Sequence, residues 1–263
     1  MSVLESIFAE RRADVEWAKS EVPLAELKAK IRDVEPPRGF RRALADRKTD
    51  LALIAEIKPA SPSQGDIAPN LDPADVAKQY LAAGAHALSV LTEPRHFGGR
   101  PENIALARQA VPIPALRKDF VDDPYQVYES RALGADAILL IVAALDPSQI
   151  RELSDLAQNL GMDVLVEVHS EPELEVAIAA QSDLIGVNSR DLSTLKTDLR
   201  VAERLLPMIP KGVIRIAESA LSTREDVERV KGAGADGVLI GTAFCASPKI
   251  PEKVREVMNW PCG

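Results

Sequence analysis

Aromatic side chains make up 4% of the 263 residues, so aliphatic side chains must fill whatever interior a chain of this length builds. Cysteine is almost missing. Cys245 and Cys262 stand near the C-terminus without metal-ligand spacing and with no secretory segment ahead of them. This argues against a disulfide framework and for a reducing, cytoplasmic setting. No apolar stretch reaches the roughly 20 residues that a spanning helix requires, and residues 1–19 are charged at helical spacing instead of forming an apolar signal core. Basic charge is in deficit: 32 Lys and Arg face 40 Asp and Glu, a net −8 that argues against nucleic-acid and membrane partners. An anionic substrate would need a local basic patch. His86, His96 and His169 fall in separate segments without ligand spacing, so no metal site is expected and each reads as packed or solvated.

What the chain does contain is a repeat. Ala83-Gly84-Ala85-His86-Ala87-Leu88 is matched by Leu133-Gly134-Ala135-Asp136-Ala137-Ile138 and by Ala233-Gly234-Ala235-Asp236-Gly237-Val238, with Gln181-Ser182-Asp183-Leu184-Ile185 in the remaining slot. The period is about 50 residues, twice one βα unit, so these segments mark alternate strands of an eightfold array. Residues 51–58, 113–118, 163–168 and 213–218 supply the strands between them. Helix starts are signalled by Asp123-Pro124 with Gln126, Asp146-Pro147 with Gln149, Ser170 with Glu173, and Ser222 with Glu225. A cap oxygen satisfies a free N–H there, and proline at the first helical position sacrifices no hydrogen bond.

Alternating strands and helices imply a parallel sheet, either open and doubly wound or closed. The count of eight favours closure, as do polar residues at the ends of many strands, since an open sheet gathers its ligand groups at one switch point. The expected fold class is therefore α/β, a (β/α)8 TIM barrel in a single domain over 1–263. Residues 1–48 form an N-terminal helical extension, with helices at 4–19 and 24–31 and a break at Pro36-Pro37, that caps the barrel and frames the site.

The chemistry is expected at the C-terminal ends of the strands, the face on which barrel enzymes act. Glu56 and Lys58 share a strand face with Ile54, and Glu218 shares one with Ile214 and Ile216. Lys118 ends the third strand, Glu167 the fifth and Asn188 the sixth. One such residue alone reads as a solvated rim. Five strands aiming polar groups at one mouth do not serve packing, because each unpaired charge there costs several kcal/mol. Opposite charges side by side hold Lys and Glu in defined protonation states, which suits proton transfer. Glu218-Ser219-Ala220 and Ile240-Gly241-Thr242 follow strands seven and eight, where barrels build phosphate sites; Gly241 permits close backbone approach and Thr242 adds a hydroxyl.

Longer segments then become recognisable: Ile54-Ala55-Glu56-Ile57-Lys58-Pro59-Ala60-Ser61-Pro62-Ser63, Ser89-Val90-Leu91-Thr92-Glu93, Arg117-Lys118-Asp119-Phe120, Val166-Glu167-Val168, Gly186-Val187-Asn188-Ser189-Arg190-Asp191-Leu192 and Ala217-Glu218-Ser219. In order and spacing along almost the whole chain the sequence resembles the indole-3-glycerol phosphate synthases of tryptophan biosynthesis. The resemblance implies a cofactor-free, decarboxylating and dehydrating ring closure of 1-(2-carboxyphenylamino)-1-deoxyribulose 5-phosphate. Lys118 would be the general acid of ring closure, Glu167 would manage a proton in the dehydration, and Lys58 is a second candidate acid. Glu56 and Glu218 would position the lysines and the anilino nitrogen, and Asn188 the sugar hydroxyls. Arg190 and Lys58 would hold the aryl carboxylate, Phe97, Phe120 and Leu139 the ring, and Ser61, Ser219, Ala220, Gly241 and Thr242 the phosphate. Ala220 stands where the family usually has glycine, so its backbone donor depends on whether that position requires positive φ. Asp119 is expected behind the site. Alternatives are another phosphosugar barrel, such as a phosphoribosylanthranilate isomerase or a ribulose-phosphate epimerase, or a non-catalytic barrel. A monomer is expected, with other tryptophan-pathway enzymes as candidate partners.

Overall fold

Apolar runs of four to six residues form eight parallel strands in the computed structural model, which describes residues 3–191 and 194–260. They are β1 (Ala52–Ile57), β2 (Ala87–Leu91), β3 (Ala115–Lys118), β4 (Ala137–Ile141), β5 (Asp163–Val168), β6 (Leu184–Asn188), β7 (Ile214–Glu218) and β8 (Gly237–Ile240). Each pairs with its neighbours in sequence, and β1 also pairs with β8 from Ala52↔Gly237 to Ala55↔Ile240, which closes the barrel. Strand alternation then sorts the side chains. Ile54, Leu116, Leu139, Leu165, Ile216 and Leu239 pack together inside, whereas Leu53, Val90, Ile138, Val166 and Val238 join the layer beneath the helices. Fully burying one such side chain contributes about 1.5–3 kcal/mol, so both layers resist a one-residue slip that would exchange them.

The helices are α1 (Val3–Glu21), α2 (Leu24–Lys30) and α3 (Phe40–Ala45) ahead of the barrel, then α4 (Pro73–Ala82), α5 (Glu102–Ala110), α6 (Pro124–Ala132), α7 (Pro147–Asn159), α8 (Glu171–Ala179), α9 (Arg200–Leu205), α10 (Arg224–Gly232), α11 (Thr242–Cys245) and α12 (Ile250–Met258). Asp123 and Asp146 cap α6 and α7 in reciprocal boxes with Gln126 and Gln149. At α10 the box falls one residue later than expected: Thr223 and Asp226 form it, because Asp226 Oδ2 accepts from the N–H groups of both Ser222 and Thr223 at 3.0 Å. Ser170 does precede α8, yet its hydroxyl donates to Glu173 at 2.8 Å and receives no backbone N–H.

The repeated Gly-Ala step ends a helix at each occurrence. Gly84, Gly134 and Gly234 have φ of 99°, 88° and 95°, and the next N–H returns to Tyr80, Ser130 and Val230 carbonyls at 3.0, 2.9 and 3.0 Å. The fourth slot makes the same closure without glycine: Gln181 takes φ 59° and Ser182 donates to Ala177 at 3.2 Å. This explains why that copy of the repeat is the faintest in sequence.

The extension reaches both ends of the barrel. Helix α3, which the sequence did not signal, buries Phe40 and Leu44 completely against the inner cluster. Its neighbourhood is tied to the N-terminal strand ends by Arg38 N–H to Asp136 at 2.8 Å and Arg41 N–H to Asp163 at 2.9 Å. Helix α1 works at the opposite end, where Phe8 meets Phe120 edge-on at 5.4 Å and Arg11 grips Asp119 through two 2.9 Å hydrogen bonds. Cys245 is buried, and Cys262 lies outside the described residues. Among the described residues no helix is long and apolar enough to cross a membrane.

Candidate active site

A cavity of about 420 Å³ opens at the C-terminal ends of the strands. Glu56 of β1, Lys118 of β3, Glu167 of β5, Asn188 of β6 and Glu218 of β7 line it, joined by Lys58 just beyond β1. Strand parity is the cause for four of them, since Glu56, Lys118, Glu167 and Glu218 follow the inward-facing Ile54, Leu116, Leu165 and Ile216 at a spacing of two. Glycine makes room for the carboxylates. A Cβ on Gly186 would collide with Glu218 Oε1, and one on Gly241 with Glu56 Oε1.

Lys118 Nζ donates to Glu167 Oε2 at 2.9 Å and lies 3.4 Å from Glu218 Oε2. Lys58 pairs with Glu56, whose other oxygen faces Ser89 Oγ at 3.5 Å. Burial alone would discharge Lys118, but Glu167, Glu218 and Glu56 outweigh it and raise its pKa above the ordinary lysine value. Burial also opposes charge on Glu167, yet Lys118 and His169 hold its carboxyl well below the usual carboxylate range. For Glu218 burial prevails, reinforced by repulsion from Glu167 and Glu56, and the carboxyl is pushed up to about 8 despite Lys118. A lysine and a glutamate held toward their charged forms therefore stand in contact with a glutamate pushed toward its neutral form. Such a group can give and take protons without water as intermediary.

Phe97 and Phe120, with ring centroids 5.9 Å apart, and Leu139 provide the apolar wall. Arg190 donates to the Leu195 carbonyl at 2.8 Å and to Ser63 Oγ at 3.2 Å, and its N–H donates to Asn188 Oδ1 at 3.0 Å. Ser219, Ala220, Gly241 and Thr242 line the cavity where the loops after β7 and β8 meet. Ser219 and Ala220 have φ of 63° and 57°, so Ala220 does occupy the left-handed region that glycine would hold without strain. Ser61 stands apart from these four: it lines a smaller cavity of about 60 Å³ beneath α1, together with Ile7, Lys58, Phe97, Phe120 and Arg190.

The profile described as indole-3-glycerol phosphate synthase matches residues 4–257. The chain belongs to the indole-3-glycerol phosphate synthase family. An indole-3-glycerol phosphate synthase of Dehalococcoides mccartyi (strain ATCC BAA-2100) is 47% identical over 260 residues, covering 97% of this chain and all of the relative. One of Rhodospirillum rubrum is 47% identical over 261 residues, covering 98% and 99%. Similarity to solved structures extends to the fold alone. A 3-hexulose-6-phosphate synthase from Salmonella typhimurium superposes with TM-score 0.64 at 14% identity, over 80% of this chain and 97% of that one. A chain of the Pyrococcus furiosus tryptophan synthase complex gives TM-score 0.58 at 16% identity, over 79% and 98%. Membership of the synthase family leaves no ground for the isomerase and epimerase alternatives.

Glu93 and His169 gain a place that the sequence did not announce, and Asp119 stands behind the site as expected. Glu93 accepts the N–H groups of Arg95, His96 and Phe97 at 2.8, 2.8 and 3.0 Å, which fixes the loop that carries Phe97. Asp119 lies between Arg11 and Arg117 and anchors α1. His169 reaches back from the end of β5 toward Glu167, with Nε2 3.3 Å from Oε1. A buried acid two residues ahead of consecutive loop N–H groups is the one local signal, at Glu93, that the sequence offered.

Proposed function

We propose that this chain closes the indole ring of indole-3-glycerol phosphate on the open-chain substrate 1-(2-carboxyphenylamino)-1-deoxyribulose 5-phosphate, releasing carbon dioxide and water. The observation that carries the reading is Lys118, held 2.9 Å from Glu167 and 3.4 Å from Glu218 inside a cavity walled by two phenylalanines. The aryl carbon bearing the carboxylate attacks the ketone carbon, and Lys118 delivers a proton to the ketone oxygen as that bond forms. Loss of carbon dioxide restores the aromatic ring. Eliminating the new hydroxyl as water then needs a base for one carbon-bound proton and an acid for the leaving oxygen. Glu167 suits the first role because it stays ionised, and Lys58 suits the second.

Glu56 and Glu218 orient the two lysines and face the anilino nitrogen, and Asn188 holds the sugar hydroxyls. Arg190 and Lys58 grip the aryl carboxylate, for which a guanidinium is shaped. Phe97, Phe120 and Leu139 receive the ring. Phosphate rests on Ser219, Ala220, Gly241 and Thr242, where the first N–H groups of α11 have no partner within the helix; Ser61 contributes from across Lys58. The six strand-end groups complete the proton-handling set without a second copy, and a monomer acting in the cytoplasm is part of this proposal. Incubating purified protein with the carboxyphenylamino deoxyribulose phosphate is expected to produce indole fluorescence, and folded protein that produces none overturns the reading.

A further inference from the structure

Glu167 has two oxygens and they face different partners. Oε2 receives the Lys118 proton donor inside the cavity, while Oε1 lies 3.3 Å from His169 Nε2, outside the cavity lining. The other imidazole nitrogen, Nδ1, is 3.1 Å from Glu173 Oε2 at the start of α8. Glu173 is itself fixed by the His169 N–H and by Ser170 Oγ, both at 2.8 Å. Side-chain exposure rises along this series, from 1% at Glu167 to 13% at His169 and 21% at Glu173. The series thus leads outward from the reacting space. No other acceptor reaches Nε2, and its contact with Oε1 falls short of an aligned hydrogen bond, so charge carries it.

We propose that His169 is a positioning residue for Glu167: with Glu173 behind it, the imidazolium fixes the orientation and the charge of that carboxylate from the side the substrate does not occupy. The inference rests on the proton-accepting role given to Glu167 above. Burial would discharge the imidazole, but Glu167 and Glu173 outweigh it and its pKa is raised to about 10. The charges facing this pair from elsewhere are Lys118 on β3, Glu218 on β7 and Glu56 on β1, all on the cavity side. The 3-10 turn Val142–Ala144 packed on α8 and β5 has no titratable side chain, and Arg151, Glu152 and Asp155 of α7 are exposed.

Without the imidazolium one of the two cations holding Glu167 ionised is gone, and its freed oxygen lets the side chain rotate. His169→Gln keeps a side-chain N–H near Oε1 and removes the charge. Its kcat is expected to fall about 10- to 100-fold with KM changed less than about threefold, and the acid limb of kcat/KM to move up by about one pH unit. Glu173→Gln should move the limb in the same direction by less, and supplies the test should the first variant not fold. A limb that coincides with wild type in a folded variant overturns the inference, whatever happens to kcat. Glu167→Gln separates the two claims: if it keeps near-normal kcat, the role of Glu167 fails; if it is inactive while His169→Gln leaves the limb in place, only the role of His169 fails.

Discussion

Arg117 and Lys118 are consecutive cations on β3, both deeply set among carboxylates, and their surroundings differ in completeness. Arg117 is fully buried on the helix side, where Asp119 at 3.0 Å, Glu129 at 2.7 Å, Thr92 Oγ1 at 3.0 Å and Ser130 Oγ at 3.1 Å satisfy its guanidinium. Asp119 in turn collects donors from Arg11, Thr92, Arg117 and the Phe120 N–H, and although burial opposes its charge, Arg117 and Arg11 hold its carboxyl below the usual range. Lys118 on the inner side has carboxylates to spare. Glu218 keeps an oxygen that no donor reaches, and burial with its carboxylate neighbours pushes its carboxyl up to about 8. A network in which every lone pair is taken has nothing to exchange and holds structure. One left short of donors in a substrate-sized cavity retains capacity for proton transfer.

The sharpest way to break this contrast is Lys118→Ala. Loss of the acid should lower kcat about 10²- to 10⁴-fold while a substrate analogue still binds, as read by indole fluorescence and calorimetry; near-normal kcat would move the acid elsewhere. Asp119→Ala should behave in the opposite sense. It removes the carboxylate that Arg11 and Arg117 share, leaving them only Asp14 and Glu129, and is expected to cost about 3 kcal/mol in chemical denaturation, with a smaller loss of kcat than Lys118→Ala. Equal damage to stability from both variants would dissolve the distinction.

Glu218 sharpens the contrast through pH. Its carboxyl titrates near 8 in the folded protein and near 4.5 ordinarily, so the folded state keeps a proton that the unfolded chain gives up across that window. Its contribution to stability therefore declines as pH rises from about 4.5 to 8. Glu218→Gln should flatten that decline in thermal melts and leave the variant the more stable protein at pH 8; a parallel pair of curves would refute the shift. The smallest effect is expected from Ala220→Gly. Releasing one left-handed alanine should add no more than about 1 kcal/mol, the strain relieved being partly offset by a more flexible unfolded chain, and KM should stay within about twofold of wild type.

Much of the contrast is legible in the sequence, because inward-facing residues that end an apolar strand announce themselves by breaking its pattern. Glu56, Lys118, Glu167 and Glu218 all do so. What stayed hidden depends on contacts between elements or on weak local signals. Helix α3 is six residues long and begins after Gly39 with no side-chain cap of its own, so it depends on the burial of Phe40 and Leu44 and on the distant Asp163, which accepts the Arg41 N–H. Ser222 and Thr223 are equivalent as cap residues, and Asp226 decides between them. His169 gains its meaning from Glu167 and Glu173, two residues back and four ahead, but it lies in neither the strand nor the helix, so those spacings do not by themselves bring the three together. Ser61 lies three residues after Lys58 in the chain yet lines a different cavity from Ser219, with Lys58 bordering both.

The bidentate grip of Arg11 on Asp119 spans 108 residues, and that separation is also a delay. A ribosome adding about 5–20 residues per second finishes α1 some 5–20 s before Asp119 emerges. For that interval the amphipathic helix has no barrel to lie on, and its apolar stripe of Leu4, Ile7 and Phe8 is open to any other surface. Helix α1 is thus made well before the residue that secures it, and its exposure during synthesis is set by how soon β3 appears.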